Sequence, residues 1–513
     1  MKNLYKISFI ILFILFNHTA YAQEPANWQL AKTQLTAKLD TINTAITPRW
    51  DGKHYGTLFA GNLLLANSNR GYSLLTRTPP GAPDSNYQKY LYKKIDTMLT
   101  AFALVGYKSV DITINYPILV KSFPNSSYYL DFYKNVYKIA HNKGFKIIEG
   151  VDITFSDSLI GEPNMVKDLR NYLYNPDGVS NDTLDATRYL KDKTEMMQTI
   201  IDSLAPDYLS LENEPMTAQH NLFGLVRFTP ENTLYFVNYF MDHLVTHGIP
   251  IGTGAGSWDN IQYFENYVTT KVDFIDFHTY PIYKDFFVNK VFIIDSLAKL
   301  HNKKIVVGEC WCHKETLDEF NNGKDVLNET DFMSRNVFSY WYNVDTLFIK
   351  AMVNLSQSDK FEYVNFFNSN AMFGQIPWDS PYYDSLSSYQ LLNIGQTVEY
   401  SNMAYQTLGE LGTFTKNLIS NINNPEAVQD NNQTYNDLVY PNPFNYSTTI
   451  QLQQNIGNSN LIIYNIFGQI VRSTNVSGNK IIVERDNLPA GVYFYRITQN
   501  NEIIVSGKLM IMD

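Results

Sequence analysis

The chain has 513 residues, of which 44% are hydrophobic and 14% aromatic, and this length predicts two or three domains. The formal net charge is -10 and no long basic run occurs, so we expect no nucleic-acid partner. The only two cysteines, Cys310 and Cys312, cannot build a disulfide framework, and no CxxC or histidine cluster surrounds them. We therefore expect buried free thiols, no metal and no cofactor.

The first 22 residues have the pattern of a signal peptide. Two lysines precede an apolar run at residues 7–16, and Ala20-Tyr21-Ala22 is a small-x-small cleavage site. The apolar run is shorter than the roughly 20 residues that a membrane span needs. The pattern predicts export through the periplasm and no stable membrane span.

Residues 23–412 alternate between short apolar runs and longer amphipathic segments, which is typical of repeated βα units around a parallel sheet. Eight strands close a barrel whose interior side chains can fill, so we predict a (β/α)8 barrel. The alternative is an open doubly wound sheet, but no glycine-rich phosphate loop follows the first strand. The eight candidate strands are residues 57–65, 109–115, 146–153, 208–214, 249–254, 273–280, 304–309 and 363–368.

The barrel pattern stops near residue 413. Residues 413–436 contain a stretch rich in Asn, Gln and Asp, which predicts a linker. Residues 437–513 differ again, because short alternating runs are separated by Gly and Asn turns. We predict a small all-β, immunoglobulin-like sandwich there.

Two glutamates stand at the ends of candidate strands. Asn213-Glu214-Pro215 ends the fourth strand, and Glu309 ends the seventh in the stretch VVGECW. Side chains at the C-terminal ends of barrel strands converge on one open face. Glycoside hydrolysis needs two carboxyl groups, one to protonate the leaving oxygen and one to attack or to activate water. The sequence therefore predicts a catalytic pair formed by Glu214 and Glu309.

The stretches LSLENEP, HTY and VVGE, taken in this order, resemble clan A of the glycoside hydrolases, the 4/7 superfamily. The resemblance implies that Glu214 is the acid/base and Glu309 the nucleophile, with net retention. It also implies that Asn213 hydrogen-bonds the sugar 2-hydroxyl and that Tyr280 orients Glu309. It does not identify a family within the clan, because the second strand ends in an Asn where several families place an arginine. Arg70 is a possible substitute.

Further side chains are candidates for contact with a sugar. His278 lies two residues before Tyr280, so both can point to one face, and it is either a sugar ligand or a satisfied barrel histidine. Tryptophans stack on pyranose rings, although any single one more often lies in a core or at a rim. Trp311, which alternation places on the face of Glu309, is a candidate platform, as are Trp258 and Trp378.

Three other acidic residues lie on the candidate strands. Glu212 precedes Glu214 by two positions, so a regular strand would place both on one face, where Glu212 would form a supporting ion pair. Asp152 and Asp276 are expected to be hydrogen-bonded structural groups rather than catalysts.

The tail contains VYPNPF, IIYNIFGQIV, LPAGVYFYRI and KLMIMD, and it resembles the type A sorting domain of the type IX secretion system. The resemblance implies that the secretion machinery is a partner and that the cargo is released or attached to the cell surface. The alternative is a carbohydrate-binding sandwich, which the absence of tryptophan from the tail disfavours.

Together these features predict a secreted, retaining glycoside hydrolase acting on β-linked extracellular polysaccharide or oligosaccharide. The main alternative is a catalytically inactive surface glycan-binding protein on a barrel scaffold. A structural or adhesive surface protein would not need both glutamates. A metal-dependent barrel hydrolase would need a His-x-His pair or a clustered ligand set at the strand ends, and neither occurs.

Overall fold

The computed structural model forms two compact units, Met1–Pro425 and Glu426–Asp513. The predicted signal peptide and Arg70 lie outside the described residues. No helix among the described residues is long and apolar enough to cross a membrane. The structure describes residues 25–50, 52–66, 85–153, 163–174, 183–280, 282–283, 290–322, 329–423, 438–442, 444–465, 470–499 and 502–512.

The first unit is a closed barrel of eight parallel strands, in which β1 pairs with both β2 and β8. The predicted fold class is confirmed, and each predicted strand coincides with an observed one. The strands are β1 Leu58–Asn62, β2 Ser109–Thr113, β3 Lys146–Gly150, β4 Tyr208–Ser210, β5 Ile251–Gly256, β6 Phe274–Thr279, β7 Lys304–Cys310 and β8 Tyr363–Phe366.

Helices alternate with these strands because apolar residues recur at helical spacing between them. In the helix Ser85–Val105, for example, Leu91, Ile95, Met98 and Phe102 form one buried stripe. The helices are Ala26–Ile46, Ser85–Val105, Ser126–Asn142, Pro163–Tyr174, Ala186–Ser203, Pro215–Asn221, Pro230–His243, Gln262–Tyr267, Val291–Leu300, Leu317–Asn322, Glu329–Arg335, Tyr342–Ser358, Ser388–Ala404 and Glu410–Asn423.

The last of these helices corrects the predicted linker. Residues 413–423 were expected to be linker, but they continue the helix Glu410–Asn423. Leu411, Thr415, Ile419 and Ile422 are buried, and their spacing forms a stripe along one helix face. The Asn-rich composition suggested a linker, whereas this stripe keeps the segment packed in the barrel unit.

The barrel interior is apolar at the end where the strands begin and polar toward the end where they finish. Ala60, Ile148, Phe274, Val306 and Tyr363 form a separate buried cluster contributed by five strands. Side chains from strands so far apart meet only inside the barrel, so this cluster closes the end where the strands begin. Two residues further along β6, the interior position is held by a carboxyl group rather than a hydrocarbon.

The second unit consists of β9 Leu438–Tyr440, β10 Ser447–Tyr464, β11 Ile470–Glu484, β12 Gly491–Gln499 and β13 Glu502–Ile511. All their pairings are antiparallel, in the order β11-β10-β12-β13 with β9 on β10. Register shifts along the long β10–β11 pair mark irregularities at which the sheet can bend. The unit buries its own apolar core, which includes Ile450, Ile463 and Ile497. The all-β prediction is confirmed.

The close approach of β5 to β6 yields a stability prediction. A Cβ added at Gly254 would lie 1.9 Å from the backbone oxygen of Asp276, and backbone of a closed barrel cannot move aside as a flexible side chain can. We expect Gly254→Ala to lower the free energy of unfolding by about 3 kcal/mol, the upper end for overpacking. Gly56→Ala is the control, because a Cβ there meets nothing within 4 Å. Equal urea midpoints for the two variants would contradict the packing described here.

Candidate active site

The candidate site is organised by the inward face of β6. Asp276 and His278 lie two residues apart on β6, so their side chains point to the same side of the strand, and Tyr280 is the first residue after it. His278 contacts Glu214, and Tyr280 contacts Glu309. The structure thus joins the two glutamates, 95 residues apart in sequence, to one strand and the residue that follows it.

Glu214 lies just beyond β4 and is held at both carboxyl oxygens. It precedes Pro215, the first residue of the helix Pro215–Asn221. His278 Nδ1 lies 2.9 Å from Glu214 Oε1, and the Thr217 hydroxyl donates to Oε2 at 2.7 Å. The carboxyl group is partly exposed, so it is fixed in orientation while still open to a ligand.

Glu309 is aimed into the barrel by an irregularity in β7. Phe277 pairs with Val307 but His278 pairs with Glu309, so Gly308 is an extra residue in the ladder. The Tyr280 hydroxyl donates to Glu309 Oε1. Because a strand rises about 3.3 Å per residue, His278 and Tyr280 lie about 6–7 Å apart along β6. Their two glutamate partners therefore face the same part of the cleft.

The charges of the site are strongly coupled. Glu214 raises the pKa of His278 to about 10, against the opposing effect of burial. His278 in turn lowers the pKa of Glu214, although burial acts in the other direction. Burial raises the pKa of Glu309 well above its ordinary value, and the charge of Glu214 adds to the increase. In the free protein these shifts favour an ionised Glu214 and a protonated Glu309.

Two further carboxyl groups have raised pKa values: that of Asp152, which was expected to be a structural group, and that of Asp111 on β2, which the sequence did not single out. Burial raises the pKa of Asp111 to about 8, and burial together with the charge of Glu212 raises that of Asp152 to about 7. The charge of His278 acts in the opposite direction and lowers the pKa of both. The positive charge of His278 thus lowers the pKa of Asp111 and Asp152 as well as those of the two glutamates.

Glu212 does not share the face of Glu214, contrary to the expectation from strand alternation. β4 ends at Ser210, so alternation no longer applies at residue 212. Glu212 is buried and accepts hydrogen bonds from Lys193 at 2.9 Å and from Tyr189 at 3.2 Å. Both partners lie on the helix Ala186–Ser203, so Glu212 points toward the helices. The expected ion pair is present, but it lies between β4 and this helix rather than inside the barrel.

The tryptophans fall into three different places. Trp258 is partly buried, and its ring centre lies 6.1 Å from that of Tyr280, so it borders the pair. Trp378 packs against Tyr340 at 5.3 Å, in an aromatic cluster that no described contact joins to the glutamates. The platform expected at Trp311 is wrong, because the side chain is 2% exposed and its Nε1 donates to Asn336.

The cysteines that flank Trp311 are both buried free thiols, as expected. Cys310 Sγ contacts the Asn365 backbone oxygen on β8. Asn213 is also buried, and its side-chain oxygen contacts the Ser210 hydroxyl.

The structure adds three residues that the sequence did not single out. Thr217 follows Glu214 by three residues on a short helix, which is the spacing at which a hydroxyl can reach back. His313 lies with its ring centre 5.0 Å from that of Tyr280, and Phe367 lies 5.8 Å from it. Both come shortly after strand ends, and this placement was the available signal for them.

Comparison with known proteins identifies the tail. Residues 438–512 match the family model described as a secretion system C-terminal sorting domain. The predicted sorting domain is confirmed, and with it the expectation of export to the cell surface or the extracellular space. No curated protein matches the chain by sequence.

Solved structures resemble the chain in fold. A GH30 endoxylanase from Clostridium papyrosolvens is 10% identical, with a TM-score of 0.36 over 84% of this chain and 95% of the other. GH5_18 from Bifidobacterium longum subsp. longum is 14% identical, with a TM-score of 0.41 over 72% and 79%. A β-glucosidase from Thermotoga maritima is 11% identical, with a TM-score of 0.39 over 72% and 99%. Likenesses this distant carry no argument about activity.

The buried ion pair behind β4 yields a second stability prediction. Lys193 is fully buried, and Lys193→Met would leave Glu212 charged and unpaired. Breaking such a pair costs about 3–5 kcal/mol, so we expect a loss of that size in the free energy of unfolding. The double variant Lys193→Met/Glu212→Gln should unfold at higher urea than the single one. If Lys193→Met alone matched the wild type, the pairing would be wrong.

The charge of His278 can be measured directly. With histidine rings labelled for NMR and the signal assigned by loss in His278→Gln, the wild-type imidazole should remain protonated at pH 8. Glu214→Gln should lower the pKa of His278 well below about 10, because burial lowers this pKa and the charge of Glu214 no longer raises it. Since the folded pKa lies above the ordinary 6.5, the stabilisation by this pair is complete below 6.5 and is lost as the pH rises toward 10.

The exposed Glu265→Gln is the matched control for this titration, and it should leave the His278 signal unchanged. A His278 that titrates alike in the wild type and in Glu214→Gln would contradict the pairing.

Proposed function

We propose that the chain is an exported glycoside hydrolase that cleaves β-linked O-glycosidic bonds of extracellular polysaccharide or oligosaccharide with retention. The observation that carries the proposal is the attachment of both glutamates to the end of β6, Glu214 through His278 and Glu309 through Tyr280. A retaining reaction needs two carboxyl groups that flank the same anomeric carbon. Two carboxyl groups held by side chains two positions apart support that arrangement.

Glu309 acts as the nucleophile in this proposal. In the first step its carboxylate attacks the anomeric carbon and forms a glycosyl ester, while Glu214 protonates the departing oxygen. In the second step Glu214 takes a proton from water, the water oxygen attacks the anomeric carbon, and Glu309 leaves as a carboxylate. Tyr280 donates to Glu309 throughout and favours its ionised form.

The proton distribution of the free protein differs from the one that this reaction needs. The pKa shifts favour an ionised Glu214 and a protonated Glu309, whereas the first step requires the reverse. Because the pair is coupled, the two arrangements differ only in the placement of one proton. We assign the reactive state to the arrangement with the proton on Glu214, since both the imidazolium of His278 and the Tyr280 hydroxyl then stabilise the Glu309 carboxylate.

The sugar is proposed to lie between Trp258 and the inward face of β6. Trp258 stands beside Tyr280 and offers a ring for stacking. Asn213 is proposed to hydrogen-bond the sugar 2-hydroxyl, and Trp378 stays a candidate for a more distant sugar unit.

Substitution of each glutamate tests the proposal. Glu309→Gln should abolish hydrolysis of 4-nitrophenyl β-glycosides and of natural polysaccharides, because an amide cannot form the glycosyl ester. Glu214→Gln should lower the rate by about 10²–10⁴-fold on polysaccharides, which have poor leaving groups. Its effect on 4-nitrophenyl glycosides should be smaller, since nitrophenolate leaves without protonation.

The exposed Glu265→Gln serves again as the control and should retain full activity. A wild-type protein that binds polysaccharides but releases no product would instead favour the inactive glycan-binding protein. Full hydrolysis by Glu309→Gln would remove the assignment of the nucleophile.

A further inference from the structure

We propose that Asp276 is a positioning residue that fixes the separation of the two glutamates by binding the backbone or side-chain groups that precede each of them. This inference rests on the proposed function and goes beyond it, because Asp276 would touch neither the sugar nor the reacting atoms.

One oxygen of Asp276 holds the approach to Glu309. The Gly308 N–H donates to Asp276 Oδ1 at 2.7 Å. Gly308 is the extra residue of β7, and its position decides where the next side chain points. Its carbonyl is held as well, because Asn365 Nδ2 on β8 donates to it at 2.8 Å. The peptide groups before Glu309 are therefore held from both neighbouring strands.

The other oxygen of Asp276 holds the approach to Glu214. The Ser210 hydroxyl donates to Asp276 Oδ2 at 2.8 Å and also contacts the side-chain oxygen of Asn213. Ser210 is the last residue of β4, and the chain after it is irregular until the helix that begins at Pro215. The contact ties this irregular segment to β6.

Asp276 is fully buried, and both carboxyl oxygens are satisfied. Burial raises its pKa, while the hydrogen bonds from Ser210 and Gly308 and the charge of His278 act in the opposite direction. The fit is also sterically close, since a Cβ at Gly308 would lie 2.5 Å from both oxygens. A glycine at 308 and a short acid at 276 are thus matched to each other.

The position of Asp276 explains why one residue can serve both glutamates. It lies two residues before His278 on the same face of β6 and four before Tyr280, the first residue after the strand. His278 and Tyr280 hold the carboxyl groups of Glu214 and Glu309, and Asp276 holds the main chain that leads to them. These three residues therefore hold both the main chain that leads to each glutamate and its carboxyl group.

The test compares Asp276→Ala and Asp276→Asn with the wild type. We expect Asp276→Ala to lower kcat by about 100-fold, the effect of roughly 1 Å of misplacement, with KM unchanged because the sugar contacts remain. Asp276→Asn keeps an acceptor for the Gly308 N–H and should recover kcat to within about tenfold of the wild type. The substrate is the fastest of 4-nitrophenyl β-glucoside, β-mannoside, β-xyloside and β-galactoside.

Gln357→Ala controls for loss of stability alone. Gln357 is fully buried, accepts from the Tyr55 N–H and donates to Thr57, which precedes β1 at the opposite end of the barrel. Assayed where circular dichroism shows all variants folded, it should keep wild-type kcat. If Gln357→Ala lost as much kcat as Asp276→Ala, or if Asp276→Ala kept wild-type kcat, the positioning role would be overturned.

A crystal structure of Asp276→Ala gives a readout without turnover. We expect Glu309 or Glu214 to move relative to the other by about 1 Å, and unmoved glutamates would overturn the role even in an inactive protein. The two proposals can therefore fail separately. A wild type that cleaves no glycoside defeats the hydrolase, whereas an active wild type with an unaffected Asp276→Ala defeats only the positioning role.

Discussion

The alternation of side chains along β6 is the constraint on which the candidate site depends. Because successive residues of a strand point to opposite faces, Asp276 and His278 both enter the barrel, and Tyr280 follows directly after the end of the strand. Their partners come from β4 and β7, of which β7 pairs directly with β6 and β4 is separated from it by β5 alone. The residues of this strand and the tyrosine after it thereby give the two carboxyl groups a defined arrangement.

The same arrangement concentrates negative charge in a buried space. Asp111, Asp152 and Asp276 join the two glutamates there, and isolated carboxylates at such depth would be costly. The structure reduces the cost in two ways. His278 supplies a positive charge, and raised pKa values keep several of the acids protonated near neutral pH. The protonation states of these carboxyl groups are therefore coupled to one another and to the charge of His278.

Sequence reasoning located the regular parts of this fold and missed the irregular ones. Apolar runs predicted all eight strands, and the acidic residues at the ends of two of them predicted the pair. Alternation then misplaced Glu212 and Trp311, because it assumes that a strand continues without interruption. β4 stops at Ser210, before Glu212, and β7 stops at Cys310, before Trp311. β7 also carries an extra residue at Gly308. These features depend on pairing with neighbouring strands.

These irregularities are also where the site is built, so the errors have a common cause. A regular β7 would not have placed Glu309 beside His278, and a longer β4 would have directed Glu212 inward with Glu214. Each departure leaves backbone groups that the ladder no longer satisfies, and a buried group must find another partner. Asp276 and Asn365 provide those partners for Gly308. The polar side chains of the barrel interior therefore provide hydrogen-bond partners for the irregular backbone that orients the glutamates.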